Sequence, residues 1–252
     1  MSYQTIDIRK STPQIGAEIF GIDLALPLGN QQFQEVHDAL MDRLVIFFRD
    51  QTISVEQQKD FARRFGKLHT HPASPNVVPG HPEVMVIAAD ENSEYIAGED
   101  WHSDVSCDPE PPMGTMLYLT QVPPDGGGDT MFANMYLAYE TLSDGLRRVL
   151  DGLTAVNSSA KADVTKTRED RIKDSGKTEA RQEYNAEHPV VRTHPETGRR
   201  ALYVNGGHTV RFSDMSAEES APLLNYLFAH MVRPEFTCRF RWEPGSIALW
   251  DN

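Results

Sequence analysis

The chain is poor in cysteine and in long apolar runs. Its two cysteines, Cys107 and Cys238, lie far apart in sequence and form neither a CxxC pair nor a zinc pattern, so no disulfide framework is predicted. No stretch approaches the length of a membrane span, and the first ten residues lack the apolar core of a signal peptide. The sequence therefore predicts a cytoplasmic protein in a reducing environment.

Positive charge is also scarce, since 24 Lys and Arg stand against 37 Asp and Glu and give a formal net charge of -13. The long-range field of such a chain repels nucleic acid and anionic membranes, so neither is an expected partner. We expect a small-molecule substrate instead. An anionic substrate would need Lys or Arg close to its binding site. The sequence leaves open whether the protein forms a homo-oligomer.

The length and the pattern of apolar residues favour a single domain over residues 1–252. Several short strand-like segments, separated by turn residues, are combined with a few helical segments, which predicts an α+β or mainly β fold with helices outside a β core. Apolar runs at 44–48 and 84–87 are typical of buried strands. Ser54 followed by Gln57 predicts the start of a helix.

One segment, residues 158–187, is almost wholly polar. Such a composition cannot bury enough apolar surface to pack by itself. The segment is predicted to be either a flexible lid that ligand binding orders or a solvated loop without function. Composition does not distinguish the two.

The most informative motif is Trp101-His102-Ser103-Asp104. On a β-strand, side chains two residues apart face the same side, so His102 and Asp104 would offer an imidazole nitrogen and a carboxylate oxygen to one metal ion. Two histidines and one carboxylate on one face of a metal form the ligand set of non-haem Fe(II) oxygenases. The alternative is a hydrogen-bonded structural pair.

Two rival His-x-Glu triplets occur at 81–83 and 194–196. Each has proline in the middle, and each lies near Gly80 or Gly198. Both are therefore predicted to be turns and not strand faces, which favours His102 and Asp104 as the metal ligands.

Taken together, several segments resemble the TauD/TfdA (taurine dioxygenase) family of Fe(II)- and 2-oxoglutarate-dependent dioxygenases. They occur in family order and span nearly the whole chain: IGAEI at 15–19, FFRDQ at 47–51, WHSD at 101–104, GGDT at 127–130, HPVVRTHP at 188–195, LYVN at 202–205 and WDN at 250–252. The resemblance implies a double-stranded β-helix, a jelly-roll core with flanking helices.

The resemblance also implies roles for individual residues. His102 and Asp104 match two of the three iron ligands, and Thr130 matches the threonine whose hydroxyl contacts a carboxylate of 2-oxoglutarate. Without the resemblance, Thr130 would be interpreted as closing the glycine turn at 126–128. These glycines are not a phosphate-binding loop, because no Lys-Ser/Thr follows them.

The sequence departs from the family pattern at its end. The family's distal histidine ligand follows Trp-Asp-Asn by a few residues, and an arginine that pairs with 2-oxoglutarate comes later still, but this sequence stops at Asn252. We expect the third ligand in sequence beyond Asn252; otherwise the protein would be a dead metal site. Among the histidines present, His188 and His194 flank a hairpin. His208 follows a strand towards the pocket, but the resemblance places it on the substrate side.

The resemblance assigns five positions to the substrate pocket, namely His71, Ser74, Gly98, Ser159 and His208. In taurine-specific members the corresponding residues are a histidine, a tyrosine, an asparagine and two phenylalanines, so only the histidine is retained. Smaller side chains predict a larger and differently polar pocket. We expect taurine to be a poor substrate and a larger sulfonate, sulfate ester or aryloxyalkanoate to fit better.

The predicted function is thus hydroxylation of a small organic acid with Fe(II), 2-oxoglutarate as cosubstrate and O2, releasing succinate and CO2. Two alternatives belong to other classes. A non-catalytic metal- or ligand-binding jelly-roll protein is favoured by the lack of a third ligand. A zinc hydrolase would use the same donor types but leaves Thr130 unexplained.

Overall fold

The computed structural model describes residues 3–71, 76–90, 93, 98–161 and 183–252. The chain divides into two compact units: Met1–Leu68, Pro112–Asn134 and Met231–Asn252 form the first, and His69–Pro111 and Met135–His230 form the second. Most of the predicted lid, residues 162–182, lies outside the described residues, so its role stays a prediction. So does the assignment of the whole chain to one domain.

Within the described residues the strands, in chain order, are β1 (Asp7–Lys10), β2 (Ala17–Phe20), β3 (Val45–Phe48), β4 (Val77–Val78), β5 (His81–Met85), β6 (Gly114–Leu119), β7 (Thr130–Ala133), β8 (Thr154–Ser158), β9 (Asn185–Pro189), β10 (Val191–Thr193), β11 (Arg200–Leu202), β12 (Thr209–Phe212), β13 (Thr237–Phe240) and β14 (Ser246–Asp251). The α-helices are α1 (Asn30–Arg43), α2 (Val55–Arg63), α3 (Met135–Glu140), α4 (Asp144–Leu150) and α5 (Ala217–Met231), and a 3-10 turn covers Pro234–Phe236.

The first unit contains a five-stranded sheet in the order β1-β2-β3-β14-β6. Its neighbours are antiparallel except for β2 and β3, which run parallel. The predicted buried strand at 44–48 is confirmed, because all four residues of β3 are buried. A pair of antiparallel strands, β7 and β13, belongs to the same unit and carries Thr130 opposite Phe240.

The core of the first unit joins the sheet to its two helices. Side chains of α1 and α2 meet those of the sheet in one apolar cluster that includes Leu40, Phe48, Phe61 and Ile247. Burial of each side chain of this size stabilises the folded state by about 1.5–3 kcal/mol relative to leaving it exposed. Helix α2 starts as predicted, since the Ser54 hydroxyl accepts from the backbone of the third helical residue and forms a complete capping box.

Glu35 ties the N-terminal segment to α1. Burial alone would raise its pKa, but hydrogen bonds from Thr5, Gln4 and Gln31 outweigh burial and lower the pKa of Glu35 from 4.5 to about 2. A lowered folded-state pKa stabilises the fold above about pH 4.5, and this stability is lost as the pH falls towards 2. We expect Glu35→Gln to reduce the acid dependence of the free energy of unfolding, measured by urea denaturation between pH 5 and 2. The matched change at the exposed Glu110 should leave that dependence unaltered.

The second unit contains the antiparallel sheet β12-β8-β9 and two hairpins, β4-β5 and β10-β11. The hairpin predicted around Gly198 is confirmed as β10 and β11. The prediction of a core strand at 84–87 is wrong: β5 ends at Met85, and Met85, Val86 and Ile87 are exposed. An apolar run marks burial only when another layer covers it, and among the described residues β5 pairs with β4 alone.

The two rival triplets have different outcomes. Residues 81–83 lie in β5, so their prediction as a turn is wrong, whereas 195–197 form a turn as expected. A proline is tolerated near the start of an edge strand, which explains Pro82.

The predicted fold class is confirmed in its coarse form, a fold of mixed helices and sheets. In the described part of the chain, no helix is long and apolar enough to cross a membrane.

Candidate active site

His102 and Asp104 meet in the second unit, although not in the way the sequence suggested. Residues 101–103 have no regular structure and 104–107 form a turn, so the argument from strand alternation is wrong. The turn nevertheless brings the His102 Nε2 atom within 3.2 Å of the Asp104 Oδ1 atom. Both side chains stay partly exposed, with relative accessibilities of 34% and 23%, so a small ion can reach them.

The tautomer of His102 follows from its second contact. Its Nδ1 atom lies 2.7 Å from the backbone oxygen of Asp100, which can only accept a hydrogen bond. Nδ1 therefore carries the hydrogen, and a neutral His102 has its free lone pair on Nε2, facing Asp104. Metal-binding histidines are oriented in this way by a carbonyl or carboxylate on the other ring nitrogen.

The chemistry of this contact calls for a cation between the two atoms. A lone pair on Nε2 and a carboxylate oxygen repel each other at 3.2 Å unless a proton or a metal ion is shared. Without a metal ion, a proton on Nε2 is shared with the Asp104 carboxylate, and this hydrogen bond raises the pKa of His102. An imidazole and a carboxylate are donors that suit Fe(II). Among the described residues no group of three His, Cys, Asp or Glu side chains could hold a metal ion.

His208 lies beside this pair. Its side chain is buried, with 8% exposure, and its Nδ1 atom has no hydrogen-bond partner within the described structure. Burial, followed by the charge of His102, lowers the pKa of His208 to about 4, with His71 acting in the same direction. His208 is therefore a neutral imidazole near neutral pH, with a polar atom available to a ligand.

Lys161 brings a positive charge to the same region. Its Nζ atom donates to the backbone oxygen of Thr209 at 2.5 Å and lies 4.9 Å from the ring centre of Phe228. Thr209 directly follows His208, and after burial and the neighbouring histidines the charge of Lys161 also lowers the pKa of His208. Burial lowers the pKa of Lys161 itself.

Of the three remaining predicted pocket residues, the structure describes Gly98 and Ser159. Gly98 lies against the His102 ring, since a Cβ atom placed there would be 3.4 Å from Cε1, and its φ of +88° favours glycine. Ser159 forms paired hydrogen bonds with the backbone of Tyr184, accepting at its hydroxyl over 3.0 Å. Ser74 lies outside the described residues. The pocket roles of all three stay predictions.

Thr130 begins β7 in the first unit and has a defined hydroxyl orientation. The indole nitrogen of Trp242 lies 2.8 Å from Thr130 Oγ1. Tryptophan can only donate, so the threonine oxygen accepts, and its own hydrogen points elsewhere. The hydroxyl is thereby prepared to donate to an anion such as a carboxylate.

Sequence reasoning did not find Asp100 or Trp242. Asp100 acts through its backbone carbonyl, which has no side-chain signature. Trp242 follows the end of β13, and its hydrogen bond with Thr130 spans 112 positions. Neither contact leaves a local pattern that could have been read from the sequence.

The family described as "Taurine catabolism dioxygenase TauD, TfdA family" matches residues 7–252. The chain therefore belongs to the TauD/TfdA family. The enzyme class predicted from the sequence, a 2-oxoglutarate-dependent non-haem iron dioxygenase, is confirmed, and this class is supported over a non-catalytic binding protein.

Two curated relatives illustrate the family. An alpha-ketoglutarate-dependent sulfate ester dioxygenase of Pseudomonas putida is 36% identical over 98% of this chain and 81% of its own length. An alkylsulfatase of Acinetobacter baylyi is 35% identical over 99% of this chain and 78% of its own.

Solved structures agree in fold. A putative alpha-ketoglutarate-dependent taurine dioxygenase from Burkholderia xenovorans superposes with a TM-score of 0.81 at 36% identity, covering 98% of this chain and 82% of that one. AAD-2, solved with Mn(II) and N-oxalylglycine, gives a TM-score of 0.75 at 29% identity over 98% of this chain and 87% of its own.

Proposed function

We propose that His102 and Asp104 hold the catalytic Fe(II) of this dioxygenase and that its substrate is an organic anion larger than taurine. The observation that carries the metal assignment is the approach of His102 Nε2 to Asp104 Oδ1 with the other ring nitrogen fixed by a carbonyl. When bound, Fe(II) and 2-oxoglutarate supply the oxidative chemistry, in which O2 is consumed, succinate and CO2 are released and the substrate gains a hydroxyl group.

The chain's own residues prepare the ligands for this role. The Asp100 carbonyl keeps the hydrogen of His102 on Nδ1, so that Nε2 is unprotonated when a metal binds. Asp104 supplies a negative charge that offsets part of the charge of a divalent ion. A histidine encoded after Asn252 is the proposed third ligand, and the family's double-stranded β-helix is the proposed arrangement of the core.

The proposed substrate class rests on charge, on side-chain size and on the relatives. Lys161 supplies a positive charge within reach of His208, which suits an anion in a chain of net charge -13. Glycine at 98 and serine at 159 leave more room than the side chains that enclose taurine. Two curated relatives, at 35% and 36% identity, are named an alkylsulfatase and a sulfate ester dioxygenase. We therefore propose a sulfate ester or an alkyl sulfonate, with aryloxyalkanoates as the next class.

Thr130 is the proposed donor to a carboxylate of 2-oxoglutarate. Thr130→Val keeps the shape of the side chain but removes the hydroxyl, and a hydrogen bond to a charged group contributes enough to predict a rise of about 10- to 100-fold in the dissociation constant of 2-oxoglutarate. Thr130→Ser should stay close to wild type. Titration calorimetry with Mn(II)-loaded protein measures both. Equal affinity of the valine variant and the wild type would remove Thr130 from the site.

A further inference from the structure

We infer that the turn formed by residues 205–209 positions the metal-ligand pair, acting on it through Asn205 and Gly207. This inference rests on the proposed metal site and deepens it. Neither residue is proposed to touch metal or substrate. Both are positioning residues, because they contact the segment 101–106 that carries His102 and Asp104.

The first observation is a constrained backbone beside Asp104. Val105 has a φ of +55°, a left-handed conformation that a β-branched residue rarely adopts. Its side chain is buried, with 7% exposure. Such a conformation persists only where the surrounding structure enforces it. Because Asp104 directly precedes Val105, this local geometry sets the direction of the Asp104 carboxylate.

The second observation identifies what enforces that geometry. The Asn205 side chain donates from Nδ2 to Ser106 Oγ at 3.0 Å, and its Oδ1 accepts from the backbone nitrogen of His208 at 2.8 Å. The orientation of the amide is fixed, because the His208 nitrogen can only donate. Asn205 and Ser106 are both buried, at 5% and 0% exposure. One side chain thus joins the turn to the residue that follows Val105.

The turn is itself anchored in the second unit. The Asn205 backbone nitrogen donates to Thr209 Oγ1 at 3.0 Å, and that hydroxyl donates to Asn157 Oδ1 on β8 at 2.7 Å. Thr209 and Asn157 are buried, at 0% and 1% exposure. Buried polar networks whose members are satisfied are rigid. Through this network the sheet fixes the position of Ser106. The position of Asp104, two residues earlier, is fixed with it.

Gly207 provides the contact with the other ligand. Its nitrogen donates to the Trp101 carbonyl at 3.1 Å, and a Cβ atom placed on Gly207 would lie 2.8 Å from the Cβ atom of His102. The turn backbone thus packs directly against the Cβ atom of His102, at a distance that only glycine permits. The neighbouring Gly206 is different, because its added Cβ atom would lie 3.5 Å from the Trp101 carbonyl oxygen, an ordinary contact.

These two neighbouring glycines provide a matched test. Gly207→Ala should weaken Mn(II) binding by about 10- to 100-fold, the loss typical of a disturbed outer shell, because its added Cβ atom would displace His102. Gly206→Ala should stay within about twofold of wild type. The dissociation constant is measured by following free Mn(II) by electron paramagnetic resonance. Thermal unfolding of the metal-free protein is recorded in parallel.

The hydrogen bond between Asn205 and Ser106 provides a second test. Asn205→Ala and Ser106→Ala should each lower the affinity for Mn(II). The double variant should bind Mn(II) as tightly as the single variant with the lower affinity, because both substitutions remove the same contact. Ser106→Ala deletes only a hydroxyl, so it provides the measurement even if Asn205→Ala does not fold.

The controls separate the possible outcomes. Wild-type Mn(II) affinity in Gly207→Ala and Ser106→Ala, with affinity lost in His102→Ala, overturns this inference alone and leaves the proposed metal site in place. Unchanged affinity in His102→Ala overturns the proposed function itself. Equal losses of affinity and of thermal stability in Gly206→Ala and Gly207→Ala would show a general packing role and would also overturn the inference.

Discussion

Replacing either His102 or Asp104 with alanine is expected to abolish Fe(II)-dependent succinate formation while leaving the fold largely intact. Each substitution removes one of the two iron ligands proposed among the described residues, and both side chains are partly exposed, so little packing is lost. Succinate release from 2-oxoglutarate, measured with Fe(II) and O2 present, should fall to the level of the protein-free control. Circular dichroism should retain the wild-type spectrum.

A second histidine–aspartate pair of the same unit provides the control. His69 Nε2 lies 3.5 Å from Asp108 Oδ2, with similar side-chain exposure of 25% and 26%. His69→Ala removes a comparable His–Asp contact that lies outside the family motif, so succinate formation should continue at the wild-type rate. Full activity in His102→Ala or Asp104→Ala, or an equal loss in His69→Ala, would contradict the assignment.

Taurine is expected to be a poor substrate compared with larger organic anions. By the family resemblance, the predicted pocket has serine where taurine-specific members have a tyrosine and a phenylalanine, and glycine where they have an asparagine. Poor complementarity over even one or two groups costs about tenfold or more in kcat/KM. Succinate release should be compared for taurine, a longer alkyl sulfonate, a medium-chain alkyl sulfate and an aryloxyalkanoate. A clear preference for taurine would show that the pocket is not enlarged.

The charge of Lys161 is expected to contribute to binding of the preferred anion. Lys161→Met keeps a long apolar stem and removes the charge near His208, so it should raise KM for the preferred anion with a smaller effect on kcat. The matched change at the exposed Lys67 should leave both constants unaltered. An unchanged KM in Lys161→Met would mean that the anion is held elsewhere.

The sequence predicted best those features that are encoded locally. The capping box at Ser54 needs residues only three apart, and the run at 44–48 becomes a fully buried strand between two neighbours. The run at 84–87 has a similar composition but ends exposed, because its burial depends on a layer that the run does not specify. Local pattern therefore predicts the type of element better than its burial.

The contact between His102 and Asp104 shows a second reason why sequence-based prediction fails. His102 and Asp104 were identified correctly as neighbours for a reason that proved wrong, since a turn with a left-handed Val105 brings them together and not a strand. The contacts that fix them come from Asn205 and Gly207, about a hundred residues away. A segment's own sequence carries no record of such partners, and only the fold reveals them.

The most direct test of the metal site is a crystal structure of the protein with Mn(II) and N-oxalylglycine, the pair bound in the related AAD-2 structure. We predict one anomalous peak bonded to His102 Nε2, to the Asp104 carboxylate and to a histidine encoded after Asn252. The 2-oxoglutarate analogue should be bound to the same manganese ion. A manganese ion bound elsewhere, or bound without Asp104, would contradict the account.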